Sequence, residues 1–228
     1  FGWHGTMNYN GFARPLVNWF NDNQKLGNFT GLPGKNPRFD GEATAAVMRA
    51  FAAGIPWRSL VASMVLLDSH DTARFRTVVS GSRAKHLSAA TLLMTYPGVP
   101  SIFAGDEIGL EGEWGEDARR TINWDDTSNW DKDLLSEFGE LIAIRKKHRA
   151  LVHGGIRWIA TEKDYLAYLR ESKNETLLVV SSRDSTVISL DIAQYGYVIS
   201  QTLYGPKMSG GKISIKAKDA ISGIWKLK

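Results

Sequence analysis

The stretch Met64-Val-Leu-Leu-Asp-Ser-His-Asp-Thr-Ala-Arg74 sets an unbroken apolar run against Asp68-Ser-His-Asp71. A short continuous apolar run that stops on polar residues has the profile of a strand buried on both faces, as in a parallel sheet. The strand is expected over Met64–Asp68, and His70 and Asp71 then stand at its C-terminal rim. Parallel βα units carry their working loops at that end.

Working outward, the same alternation continues. Ser82–Thr95 reads as a helix with Leu87, Ala90, Leu93 and Met94 on one side, closed by Pro97-Gly98. Val99–Ala104 reads as a second buried strand that runs into the polar, acid-rich loop Gly105–Trp124. Lys132–Lys147 is the clearest helix, with Leu134, Leu135, Phe138, Leu141, Ile142 and Arg145 at helical spacing and a basic last turn that suits the helix dipole. Upstream, Thr6–Tyr9 is a short candidate strand. Glu42–Ala53 is a candidate helix in which Ala43, Val47 and Phe51 recur every fourth residue. Strand–helix alternation of this kind implies a parallel sheet covered by helices.

The texture changes near residue 150. Short alternating segments follow at Tyr165–Arg170, Thr176–Ser181, Val187–Ile192, Lys212–Lys216 and Gly223–Leu227, separated by turns such as Lys173-Asn174 and Ser209-Gly-Gly211. They predict an antiparallel sandwich able to bury its own core. Residues 1–150 hold 17 Lys+Arg and 17 Asp+Glu, and residues 151–228 hold 11 against 7, so the net charge of +4 belongs to the second part. Those lysines are interleaved with apolar residues, as in Lys212-Ile-Ser-Ile-Lys216, which describes the wet face of a strand. Nucleic-acid binding needs a clustered basic stripe, so no nucleic-acid partner is expected. No apolar run reaches the ~18 residues of a membrane span, and no membrane partner is expected. With no cysteine there is no disulfide framework and no thiolate metal site. The compartment is left open, with the cytoplasm as the expectation.

A carboxylate and an imidazole side by side at a sheet rim suit a reaction that develops positive charge. Glycoside hydrolysis is such a reaction, with paired carboxylates around an oxocarbenium-like transition state. Taken alone, the His70-Asp71 dipeptide reads first as a cap for the next helix.

The surrounding sequence changes that reading. Met64–Arg74 is followed in order by Leu92-Leu-Met-Thr-Tyr-Pro-Gly-Val-Pro100, Ile102-Phe-Ala-Gly-Asp-Glu-Ile-Gly109 and Arg119-Arg-Thr-Ile-Asn-Trp-Asp125. Together these segments closely resemble the α-amylase superfamily of glycoside hydrolases, in its neopullulanase, cyclomaltodextrinase and α-glucosidase branch. Gly5-Thr-Met-Asn-Tyr9 resembles the sixth barrel strand of the same branch. The resemblance covers residues 3–150 and implies an α/β plus all-β chain. Residues 1–150 would be the last three βα units of a (β/α)8 TIM barrel, and residues 151–228 an antiparallel β-sandwich C-terminal domain.

By resemblance, Asp71 matches the third catalytic carboxylate, and His70 matches the histidine that hydrogen-bonds the substrate. Arg120 matches an eighth-loop arginine that contacts a neighbouring sugar, for which a planar donor fork is suited. A salt bridge to the acids at 111–117 is an equal reading of Arg120. Asp106 and Glu107 match a family motif and are expected to brace their loop. Ser69 departs from the Asn commoner before His-Asp in classical α-amylases, although Ser is familiar in the neopullulanase-like branch. Of the tryptophans, Trp114 is expected to stack on a sugar because it lies in a Gly-rich acidic loop, while Trp3, Trp57, Trp124 and Trp130 are expected in the core. The Glu111–Asp117 acids lack the spacing of a calcium loop, so no metal site is assigned, and no cofactor is implied.

The family nucleophile Asp and general acid Glu belong to strands four and five, and the resemblance assigns neither role within residues 1–228. The chain is therefore expected to be the C-terminal part of a retaining α-glycosidase for α-1,4- or α-1,6-linked glucans. It is expected to be inactive alone, to partner the missing N-terminal half of the barrel, and to form homo-oligomers through its open strand edges. A non-catalytic scaffold of the same family and a carbohydrate-binding protein are the alternatives.

Overall fold

The computed structural model describes residues 4–22, 37–113 and 115–228. The chain opens with a π-helical turn at Tyr9–Ala13 and helix α1 at Arg14–Phe20. Helix α2 (Gly41–Ala53) follows, started by the Asp40 carboxylate, which accepts from Ala43 N at 2.8 Å. After α3 (Trp57–Ala62) comes strand β1 (Met64–Leu66), then the short α4 (Phe75–Val78) and the long α5 (Arg83–Thr95). Strand β2 is Val99–Ser101. It pairs parallel with β1 in the register Met64↔Val99, Val65↔Pro100, Leu66↔Ser101. Met7 forms a parallel bridge with Met64 on the other side of β1. The expected strand at Thr6–Tyr9 is thus a single bridge, because the backbone coils into the π-helical turn directly after it.

Helix α6 (Lys132–Lys147) has the bounds that its apolar period predicts, with the Asp131 carboxylate accepting from Leu134 N. Helix α7 (Arg149–His153) leads into the β region. There, β3 (Gly155–Thr161), β4 (Tyr165–Ser172), β5 (Glu175–Ser182), β6 (Thr186–Asp191), β7 (Ile199–Tyr204), β8 (Lys212–Ala217) and β9 (Ser222–Leu227) follow one another. They make a five-stranded antiparallel sheet in the order β3-β4-β5-β9-β7 and a two-stranded sheet, β6-β8. Strand β7 escapes the sequence reading because Ser200-Gln-Thr202 interrupts its apolar alternation.

The larger sheet is apolar on both faces, and this decides the packing. Ala167, Leu169, Leu178, Val180 and Trp225 face Ile188 and Ile213 of the small sheet, which completes a sandwich. Leu166, Tyr168, Leu177, Val179 and Ile224 instead join one continuous core with Phe12, Phe20, Leu92, Leu93, Phe138 and Leu141. The β region thus buries the core between its two sheets by itself, but not the second face of its larger sheet. Continuous apolar runs such as Tyr165–Leu169 have two faces to cover, and helices cover the second.

Helix α5 lies at the centre of this arrangement. Residues 85–95 are buried nearly all round, rather than along the single stripe that the sequence suggests. Its small polar residues make a seam with the large sheet. Ser88 Oγ donates to the Ser182 carbonyl (2.6 Å), Thr91 Oγ1 meets Ser222 Oγ (2.8 Å), and Thr95 Oγ1 meets the Tyr168 hydroxyl (2.6 Å). The carbonyls at the end of α5 have no intrahelical donors. Two buried arginines satisfy them: Arg145 donates to the Met94 carbonyl at 2.8 Å, and Arg170 donates to the Thr95 carbonyl. Arg145 is thus a clamp between helices rather than part of an apolar stripe. Helix α2 also differs in face, burying Thr44, Ala45 and Met48 while Val47 is exposed.

Candidate functional site

The site is built where β1 ends. Past Leu66 the chain turns sharply, and Ser69 organises the turn. Its N–H donates to Thr72 Oγ1 at 3.0 Å, its Oγ accepts from Asp71 N at 3.0 Å, and the same oxygen meets the Tyr9 hydroxyl at 2.7 Å. Ser at position 69 is therefore sufficient to hold the turn and tie it to the first segment. The N-cap residue of the following helix is Arg74, and the helix's first N–H, that of Phe75, is accepted by Asp68 Oδ2 at 2.6 Å. Asp71 makes no such bond and points to solvent.

Two tiers of charged groups result. In the upper tier, the side chains of His70 and Asp71 are 55% and 60% exposed, and His70 Nε2 lies 3.3 Å from Asp71 Oδ1. Arg119 completes the group: its Nε donates to the His70 carbonyl at 3.0 Å, and its Nη2 stands 3.7 Å from Asp71 Oδ1. In the lower tier, Asp68, Arg74 and Asp106 are buried. Arg74 donates from Nη1 to Asp106 Oδ1 (3.0 Å) and from Nε to the Ala118 carbonyl (2.9 Å), with its guanidinium 4.0 Å from the Phe103 ring centroid. Loss of solvent raises both carboxyls above the ordinary range, and Asp106 well above it.

Of the residues expected at the site, His70 and Asp71 come together, and Arg120 goes elsewhere. Arg120 grips Asp117 through Nε (3.0 Å) and Nη2 (2.8 Å) to Oδ1. A backbone bond from Glu113 N, followed by this guanidinium, holds the Asp117 carboxyl below its usual value. Arg119 is the arginine that reaches His70 and Asp71. Sequence order does not separate two adjacent arginines whose side chains leave a 3-10 turn in different directions. Trp114 and Trp3 lie outside the described residues. Trp124, expected in the core, is 69% exposed and edge-packed on Trp130, and Trp57 is exposed as well. Glu107 braces its loop by accepting from Gly105 N at 2.8 Å. Among the described residues no three His, Asp or Glu side chains converge as metal ligands, and no described helix is long and apolar enough to cross a membrane.

Comparison with known proteins places this arrangement. Residues 6–133 match the α-amylase catalytic-domain family. The chain is 37% identical over 147 residues to a cyclomaltodextrinase of Bacillus sp, covering 64% of this chain and 26% of that protein. It is 37% identical over 145 residues to neopullulanase 2 of Thermoactinomyces vulgaris, covering 63% and 24%. Its fold superposes on the debranching enzyme of Nostoc punctiforme with a TM-score of 0.86 at 25% identity, covering 98% of this chain and 48% of the other. The chain thus spans about a quarter of the length of these curated relatives and about half of that solved chain. With a polar constellation at the C-terminal end of a parallel strand, an antiparallel β region behind it, and a catalytic-domain match over residues 6–133, the chain belongs to the α-amylase family of glycoside hydrolases.

Proposed function

We propose that this chain is the C-terminal part of a retaining α-glycosidase acting on α-1,4- or α-1,6-linked gluco-oligosaccharides. Residues 1–150 supply the last three βα units of a (β/α)8 barrel, and residues 151–228 supply the C-terminal β-sandwich domain. The parallel order Met7, β1, β2 with helices between them supports the barrel assignment. The names of the relatives support the substrate class.

The observation that carries the reading is the His70–Asp71–Arg119 group. A carboxylate that is open to solvent and fixed at the rim can face the positive charge of an oxocarbenium-like transition state. The contacts from His70 and Arg119 both fall on Asp71 Oδ1, which leaves Oδ2 for sugar hydroxyls. His70 adds an imidazole for a neighbouring hydroxyl, and Arg120 and Trp114 are assigned to flanking sugar contacts.

Retaining chemistry needs two further carboxyl groups about 5–5.5 Å apart, a nucleophile and a general acid. By family resemblance neither role falls within residues 1–228. We therefore assign this chain the third carboxylate, and expect it to hydrolyse nothing until joined to the segment that carries the other two. In the whole enzyme Asp71→Asn should lower kcat more than it raises KM, because the lost interaction belongs to the transition state. Near-normal turnover by that variant would refute the assignment.

A further inference from the structure

Beneath the solvent-facing residues, the lower tier has one unsatisfied atom. Asp68 Oδ2 accepts from Phe75 N, but Asp68 Oδ1 is buried without a donor among the described residues. The Asp106 carboxyl lies within hydrogen-bonding reach of Asp68 and already accepts from Arg74 at 3.0 Å. If both carboxyls were ionised, two buried negative charges would lie beside one guanidinium, and Asp68 Oδ1 would stay without a donor. Both conditions are costly away from water. One proton on Asp106 removes both, because the O–H then donates to Asp68 Oδ1 and the cluster of two acids and one arginine becomes neutral.

We propose that Asp68 and Asp106 share a single proton, and that the protonated pair with Arg74 is the positioning device that sets Arg119 beside Asp71. The connections run through each element that meets there. Asp68 follows β1 and accepts from the Phe75 N–H, Asp106 follows β2 and accepts from Arg74, and Arg74 reaches the next loop through the Ala118 carbonyl, one residue before Arg119. Arg74 N also donates to the Gly112 carbonyl at 2.9 Å. The packing leaves little room. Gly105 has φ +106°, and a Cβ there would come within 2.4 Å of Leu110 and 3.1 Å of Arg74 Nη1. Among the described residues, the charged groups acting on the pair are each other and Arg74, while the loop faces them with backbone carbonyls. Burial, and for Asp106 also the negative charge of Asp68, favour keeping the proton.

The positioning role rests on the sugar-site reading of His70–Asp71, but the tests do not. In 13C-carboxyl spectra of the chain at pH 7, one carboxyl of the pair should carry the acid-form shift. An acid whose folded pKa is raised contributes stability that is complete below its unfolded value near 3.8 and is lost as pH rises through the folded value. The native chain should therefore lose stability as pH rises from about 3.8 toward that folded value. Asp106→Asn supplies a permanent N–H donor to Asp68 and a carbonyl to Arg74, so it should fold normally and remove that loss. Amide exchange of Phe75 and of residues 110–119 should be unchanged in Asp106→Asn and at least tenfold faster in Asp106→Ala. If Asp106→Ala does not fold, the comparison of native chain with Asp106→Asn decides alone. Two ionised carboxyls at pH 7, or an Asp106→Asn variant as disturbed as Asp106→Ala, would overturn the proposal. Loss of sugar binding with these results intact would instead count against the site reading.

Discussion

Arg119 Nη2 stands 3.7 Å from Asp71 Oδ1, while the adjacent Arg120 is bound edge-on to Asp117. The two guanidiniums differ in what they can do for a ligand. Arg119 already reaches the exposed carboxylate and the His70 carbonyl, and Arg120 is engaged three residues back in its own loop.

In the whole enzyme, Arg119→Ala should therefore be the more damaging of the two substitutions. The bond it loses, from Arg119 Nε to the His70 carbonyl at 3.0 Å, is of the charge-assisted kind that contributes about 1.5–3 kcal/mol once bound sugar excludes water, equivalent to roughly 10- to 100-fold in kcat/KM. Arg120→Ala, which loses a flanking sugar contact and an exposed pair worth about 1 kcal/mol or less, should cost less than about 5-fold. Steady-state kinetics of both variants on a malto-oligosaccharide decides between them, and equal losses would mean that the loop rearranges when sugar binds.

The end of α5 should be a weak point when its arginines are removed. Arg170 is buried and donates to the Thr95, Gly154 (2.8 Å) and Gly155 (3.1 Å) carbonyls. Arg170→Met keeps the bulk but leaves those acceptors without partners, at about 1–3 kcal/mol each. We expect a loss of at least ~3 kcal/mol, or a fall in Tm of roughly 6–12 °C for a chain of this size. Calorimetry of the variant tests this, and a change under 2 °C would show that water replaces the arginine.

His86 should make the fold acid-sensitive. It is buried between Phe75 and Phe138, with ring centroids at 5.7 and 5.6 Å, and among the described residues neither ring nitrogen has a partner. Burial, with the nearby Arg76 charge, pushes its pKa down to about 3. The unfolded chain thus binds this proton more readily, so the contribution of His86 to stability is present above pH 6.5 and is lost as pH falls toward 3. His86→Leu should remove that part of the acid dependence without loss at pH 7. Denaturant titrations between pH 4 and 7 measure it, and identical slopes for native and variant would contradict it.

Self-association should be visible at the parallel strands. Val99 on β2 is 53% exposed and Met7 is 40% exposed, and β2 has one unpaired edge. Bare strand edges and apolar side chains favour pairing with another chain. Sedimentation at micromolar concentration should show dimers or larger species that shrink on Val99→Lys. A monomer across that range would mean that the edge is tolerated bare.

Local sequence determined the elements whose physics is local. The period of Leu134, Phe138, Leu141 and Arg145 with an Asp131 cap specified α6 to the residue, and the apolar run ending at Asp68-Ser-His-Asp71 marked both a parallel strand and its polar rim. Alternation likewise specified β8, where Ile213 is buried between exposed Lys212 and Ser214. Tertiary structure alone decided what depended on a partner far along the chain. Which face of β4 meets helices and which of two adjacent arginines reaches Asp71 both depend on contacts across tens of residues. The physical reason is that a side chain's period reports only its own burial. The partner of a buried charge is chosen by whichever group the fold brings within about 3 Å.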